Sequence, residues 1–287
     1  MADPSPPEKT SGRSAAEFRR RQQAEAQAQG APRPVTRPTL AQLAAEAGLP
    51  IVEWSQVAEE FLSSIEQGEH IVTLGKTGLG KSTFSFVVAD GLWERRGASV
   101  CGFLTKPEDD TATSQGWPRL SEWPPSYAQR RMPSPGRPRW TTSTRVLLWP
   151  PYTKASTYAH DRRSVFLRAI DEIMDEGKWV LYLDEASYLV QSMKLRTSID
   201  ELFTQARSRG ITLIAGSQRP VWVSRGEVSQ HTWIACFKIG DSDDANRAGE
   251  VLGDKRRYGP VIPALEKHQI MLLNSTTNEG VITQIKK

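Results

Sequence analysis

Short, densely apolar runs alternate along this chain with longer stretches of helical periodicity. The runs at 71–74, 99–105, 145–149, 178–183, 211–215 and 233–239 are rich in Val, Ile, Leu, Trp and Phe with few charges, the pattern of strands buried on both faces. Between them, apolar residues recur three and four apart. Val57, Phe61, Leu62 and Ile65 form one such stripe, and Phe84, Val87, Val88 and Leu92 a second. Phe166, Leu167, Ile170, Ile173 and Met174 form a third, and Leu195, Ile199, Leu202, Phe203 and Ala206 a fourth. Strand and helix in alternation predict an α/β fold, a mostly parallel sheet flanked by helices. The punctuation agrees: Thr39 and Gln42 form a capping box, Gly48-Leu49-Pro50 closes the helix it opens, and Gly68 and Gly177 end the helices 54–67 and 159–176. A helix over 241–252 follows, and two short runs near 269–273 and 281–285 predict a C-terminal β-hairpin at the sheet edge.

Two segments break the pattern. Residues 1–38 hold five prolines before Pro38, the cluster Arg19-Arg20-Arg21 and seven basic against four acidic residues, which predicts a disordered basic arm ahead of a folded domain at 39–287. Residues 106–144 read as a long irregular insertion with Trp117, Trp123 and Trp140. Between 111 and 150 there are six Arg, no Lys and one acidic residue, Glu122. Interleaved Arg and Trp suit a nucleic-acid backbone and its bases; equally, the aromatics suit pinning a surface insertion to the core. The net charge of +4 is compatible with a polyanionic partner. Cys101 and Cys236 lie inside apolar runs, where core packing in a reducing compartment is expected, and four scattered histidines offer no zinc spacing. No signal peptide is present and no apolar run approaches the length of a membrane span, so a cytoplasmic protein is expected.

The chemistry concentrates at two strand ends. The run at 71–74 leads into Gly75-Lys76-Thr77-Gly78-Leu79-Gly80-Lys81-Ser82-Thr83, which fits the phosphate-loop spacing G-x-x-x-x-G-K-[ST] in its required strand–loop–helix context. Glycines let the backbone curl round a phosphate chain, and the helix N-terminus holds the anion. Lys81 is expected to reach the β- and γ-phosphates of ATP, and Ser82 to ligate Mg²⁺. The run at 178–183 ends in Asp184-Glu185, the Walker B pattern. Asp184 is expected to hold the Mg²⁺ opposite Ser82, with the two segments meeting across adjoining strands, and Glu185 to polarise the attacking water as general base. Gln218, at the end of the strand 211–215, is placed to sense the γ-phosphate. Arg207 or Arg209 is a candidate arginine finger for a neighbouring subunit, with Arg207 preferred.

The run Gln205-Ala-Arg-Ser-Arg-Gly-Ile-Thr-Leu-Ile-Ala-Gly-Ser-Gln-Arg-Pro220 resembles the signature of the FtsK–HerA DNA-pumping ATPases, with Ser217 where threonine is usual. The resemblance spans about 71–240 and implies a RecA-like additional-glutamate P-loop core. It further implies a homo-oligomeric ring, usually hexameric and sometimes pentameric, that translocates double-stranded DNA. It assigns Arg207 to the finger in trans and Gln218 to the sensor. Outside this core the chain reads as close to a bare motor, similar to viral or mobile-element packaging and transfer ATPases, for which a capsid portal or secretion complex is an expected partner. Two other readings remain open: an assembly ATPase resembling the zonular-occludens-toxin family, and a small-molecule P-loop kinase with 106–144 as its lid.

Overall fold

The computed structural model describes residues 38–123, 144–151, 155–219 and 230–285, and of 155–161 the helical backbone only. The expected basic arm at 1–38 falls outside the described residues but for Pro38. The folded unit begins at Thr39, whose side chain accepts from Gln42 N while Gln42 Oε1 accepts from Thr39 N, the capping box read from sequence.

In chain order the elements are α1 (Leu40–Glu46), α2 (Trp54–Ser64), β1 (His70–Leu74), α3 (Lys81–Arg96), β2 (Ser99–Phe103), α4 (Asp110–Ser114) and β3 (Arg119–Leu120). After these come β4 (Arg145–Leu148), α5 (Ala155–Glu176), β5 (Trp179–Leu183), α6 (Ala186–Gln191), α7 (Arg196–Gln205), β6 (Thr212–Ser217) and β7 (His231–Cys236). The last are α8 (Ser242–Val251), α9 (Lys255–Tyr258), α10 (Val261–Ala264), β8 (Gln269–Asn274) and β9 (Gly280–Gln284). The strands form one sheet in the order β3-β4-β2-β5-β6-β1-β7-β8-β9. All pairings from β3 through β7 are parallel, and β8 and β9 add the expected antiparallel hairpin.

Both faces of the sheet are covered, which is why its strands carry apolar residues at successive positions rather than at alternate ones. Leu181 and Leu183 of β5 face a core with Phe166 and Ile170 of α5 and Leu202 and Phe203 of α7. Val180 and Tyr182, one residue out of phase, face Phe84, Val88 and Leu92 of α3. Val72 and Leu74 of β1 join Ile234 and Cys236 of β7 in a third core, roofed by α1 and α8 to α10. Each such buried side chain contributes about 1.5–3 kcal/mol. Cys101 and Cys236 are buried free thiols, and burial pushes the Cys236 thiol up to about 12.

The parallel strands bring their C-terminal ends to one edge, where an open α/β sheet offers its ligand crevice. The insertion departs from expectation. Up to Trp123 it is structured, with α4 capped by Asp109 and β3 paired to β4. Trp117 and Trp123 are buried, and Trp123 Nε1 donates to Glu172 Oε2 at 2.8 Å. Arg119 lies 4.3 Å over the Trp149 ring and Arg145 lies 3.8 Å over the Trp93 ring. The Arg–Trp interleaving is therefore intramolecular in this part; Trp140 and the Arg cluster around it lie outside the described residues. A five-residue helix and a two-residue strand are too short to show periodicity, so the sequence pattern missed them. The same holds for α6, α9 and α10.

Candidate nucleotide site

The phosphate loop is built by backbone conformations that side chains with a Cβ resist. Gly75, Gly78 and Gly80 have φ of 144°, 79° and 106°, and Gly80 ends the loop as the N-cap of α3. The Lys81 ammonium is drawn into the loop and donates to Gly75 O at 2.5 Å and Lys76 O at 3.0 Å. Burial lowers its pKa to about 8, although Glu185 and Asp184 pull the other way.

Opposite the loop stands the end of β5. Ser82 Oγ donates to Asp184 Oδ1 at 3.3 Å, joining residues 102 positions apart. The meeting expected between the loop and the acidic strand end therefore occurs, with one correction: β6 lies between β1 and β5, so the strands are not adjoining. Gly216 makes this possible, because a Cβ there would stand 2.4 Å from Asp184 O. Asp184 is 6% exposed and accepts from Tyr182 OH at 2.8 Å. Burial, with Asp184 alongside, keeps that phenol protonated, well above its ordinary pKa.

Glu185, 9% exposed, accepts at Oε2 from Gln218 N at 3.2 Å, and Ser187 Oγ donates to Oε1. Burial raises its pKa above the ordinary carboxylate value, opposed by those two bonds. Gln218 also accepts from Thr77 Oγ1 at 2.8 Å, so one residue ties the phosphate loop to the acidic strand end. Arg207 is elsewhere. It lies in the 3₁₀ turn Ala206–Arg209 before β6, at the opposite edge of the sheet, exposed. Six residues of β6 separate the edges by about 20 Å, so Arg207 is not part of this site.

One member of the site was missed. Lys106, just past β2, pairs with Asp184 Oδ2 at 3.1 Å and Asp109 Oδ2 at 3.0 Å. Burial works against its charge, but Asp184 and Asp109 outweigh it and the pKa rises. Three donors fix the backbone beneath it: Trp149 Nε1 to Lys106 O at 2.6 Å, and the Arg162 guanidinium to Thr105 O at 3.1 Å and Leu104 O at 2.8 Å. The available signal was Lys106-Pro-Glu-Asp-Asp110 following a strand that pairs with the Walker B strand, but only topology shows that pairing.

Lys81, Ser82, Lys106, Asp184 and Gln218 line a cleft of about 520 Å³. A larger one of about 710 Å³ on the other side of Thr77 is lined by Lys76 and Arg219 but also by Asp241, Asp243 and Asp244, whose three carboxylates outnumber the two cations and disfavour a polyphosphate. The first is the chemically suited one. A hydroxyl and a buried carboxylate within 3.3 Å are hard oxygen donors that fit Mg²⁺.

No protein-family model matches the chain. It is 34% identical over 107 residues to the DNA packaging ATPase P9 of Enterobacteria phage PRD1, a match covering 36% of this chain and 46% of the phage protein. The chain thus spans about half the length of the curated relative it matches. Among solved structures, it resembles the genome packaging NTPase B204 of Sulfolobus turreted icosahedral virus 2, with a TM-score of 0.54 at 14% identity over 78% of this chain and 99% of that one. A bacterial conjugative coupling protein, TrwB, superposes with a TM-score of 0.51 at 11% identity over 83% of this chain and 93% of that one. By phosphate loop, strand order and these likenesses, the chain has a P-loop fold similar in architecture to that of a viral genome-packaging NTPase.

Proposed function

We propose that this protein hydrolyses ATP with Mg²⁺ and uses the energy to move double-stranded DNA during packaging or transfer, as a homo-oligomeric ring in the host cell or on a virus particle. The observation that carries the chemistry is the convergence of Ser82, Asp184 and Gln218 on one cleft beside Lys81, with Glu185 held next to it by the Gln218 N–H. Lys81 would exchange its two loop carbonyls for phosphate oxygens. Ser82 and Asp184 would hold the Mg²⁺, which when bound neutralises phosphate charge. Glu185 would accept the proton of the attacking water; its raised pKa means that turnover is lost, as pH falls, sooner than for an ordinary carboxylate. Gln218, bonded to both Glu185 and Thr77, would transmit loss of the γ-phosphate from loop to base.

The DNA-moving role is supported by the likeness to packaging ATPases, and the ring by the placement of Arg207, which can complete only a neighbour's site. A portal or secretion complex would then be the docking partner. The test is ATPase rate with and without linear duplex DNA, alongside mass measurement of the assembly. Stimulation by DNA in a ring-sized particle is expected. A DNA-independent monomeric ATPase would favour an assembly ATPase, and phosphate transfer to an acceptor other than water would favour a kinase.

A further inference from the structure

The flank of the cleft away from Asp184 carries a residue that the reading above leaves without a role. β8 is antiparallel to its neighbour, so its first residues return to the same sheet edge as the phosphate loop, on the β7 side of β1. The approach to β8 is a tight turn: Gln269 N donates to Glu266 O at 3.2 Å, and Glu266 N to Gln269 Oε1 at 2.8 Å. Lys267 and His268 sit at its tip, and both side chains line the cleft with Lys81 and Thr83. His268 has φ of +67°, the left-handed region that histidine, like asparagine, enters more readily than most side chains and that here closes the turn. Its ring lies against the loop's last glycine: a Cβ on Gly80 would stand 2.9 Å from His268 Nδ1. Among the described residues its ring nitrogens have no hydrogen-bond partner, and it is only half-buried. An imidazole without a protein hydrogen-bond partner, half-exposed and set against a phosphate loop, has its ring available to a ligand in the cleft.

The direction of the ligand follows from topology. Asp184, Glu185 and Gln218 come from β5 and β6, on one side of β1, and fix where the terminal phosphate must lie. A triphosphate running across the loop from there has its other end toward β7 and β8. We infer that His268 forms the nucleoside end of the site, contacting the ribose–base part of the nucleotide rather than the phosphate chain. The inference rests on the nucleotide-binding reading above. An imidazole face accepts any base by stacking, and its edge can donate to a ribose hydroxyl.

His268→Gly removes the ring and relaxes the backbone, so it separates a ligand contact from a structural role. Calorimetric titration of the full chain with ATPγS and with tripolyphosphate, both with Mg²⁺, reads the two ends separately. We expect ATPγS affinity to fall about tenfold, as for loss of one stacked ring. Tripolyphosphate affinity should stay within about twofold, and the melting temperature should not drop. Unchanged ATPγS affinity, or an equal loss for both ligands, would overturn the assignment. Lys81→Ala is the control on the underlying reading: it should lose both ligands, and if it binds both as the wild type does, the nucleotide site itself is misplaced.

Discussion

The two edges of the central sheet treat charge in opposite ways. At the C-terminal edge, Lys81, Lys106, Asp184 and Asp109 are gathered in one cleft with Glu185 beside it, and the charges are largely satisfied, through Lys106 between two carboxylates and Gln218 on Glu185. At the N-terminal edge backbone N–H groups do the joining, to two carbonyls and one hydroxyl. Lys178 N donates to Arg209 O at 3.0 Å, Gly210 N to Arg207 O at 3.0 Å, and Gly68 N to Thr212 Oγ1 at 3.1 Å. The Arg207 and Arg209 side chains stay exposed and make no ion pair among the described residues. One edge assembles chemistry and closes in on itself; the other holds a pair of arginines on a rigid turn and presents them outward. On the proposed function, the first edge would supply most of an ATP-hydrolysing site and the second would display, about 20 Å away, the arginine that completes a neighbour's.

The largest effect that would break this contrast comes from the first edge. Lys81→Ala should abolish nucleotide binding and turnover together, read by titration and phosphate release; normal hydrolysis would mean that the loop is not the site. Next is the link between the edges. Arg207→Ala and Glu185→Gln should each lower turnover at least about a hundredfold, the second with nucleotide binding intact. Mixing the two variants should recover activity, because some interfaces then pair an intact Glu185 with an intact Arg207. Mixed rings with no recovery would place Arg207 outside catalysis. The smallest effect belongs to the second edge. His70, at the start of β1, is fully buried, and burial first of all lowers its pKa to about 4 from an ordinary 6.5. Below pH 6.5 the unfolded chain takes a proton that the folded chain refuses. Stability present above pH 6.5 should therefore be lost as the pH falls toward 4, by about 3 kcal/mol for the full shift. Chemical denaturation of wild type and His70→Leu across that range should show the slope in the first and a flatter one in the second.

What could be read from sequence was what lies contiguous in it. The strand, loop and first helix from His70 to Leu92 carry their periodicity and their glycines in one stretch, and so does β5 with its two carboxylates. Gln218 was legible because a polar residue closes an apolar strand; its bonds to Glu185 and Thr77 were not, since they depend on β6 lying between β1 and β5. Lys106 and His268 escaped for the same reason. Each stands in a polar turn with no periodicity, and each matters only because sheet order places its turn beside the loop. The insertion left two readings open, and its described part decides between them: Trp117, Trp123 and Arg119, with Arg145 after it, have the composition of a nucleic-acid surface, yet they pack on the protein itself.

The account depends on Ser82 and Asp184, distant in sequence, holding a single cation between them. Electron paramagnetic resonance of Mn²⁺ with ATPγS, in wild type and in Asp184→Asn, tests this directly. Tight ternary binding in the wild type is predicted, with Mn²⁺ affinity weakened about tenfold or more in the variant while ATPγS still binds. An unchanged Mn²⁺ affinity in Asp184→Asn would contradict it.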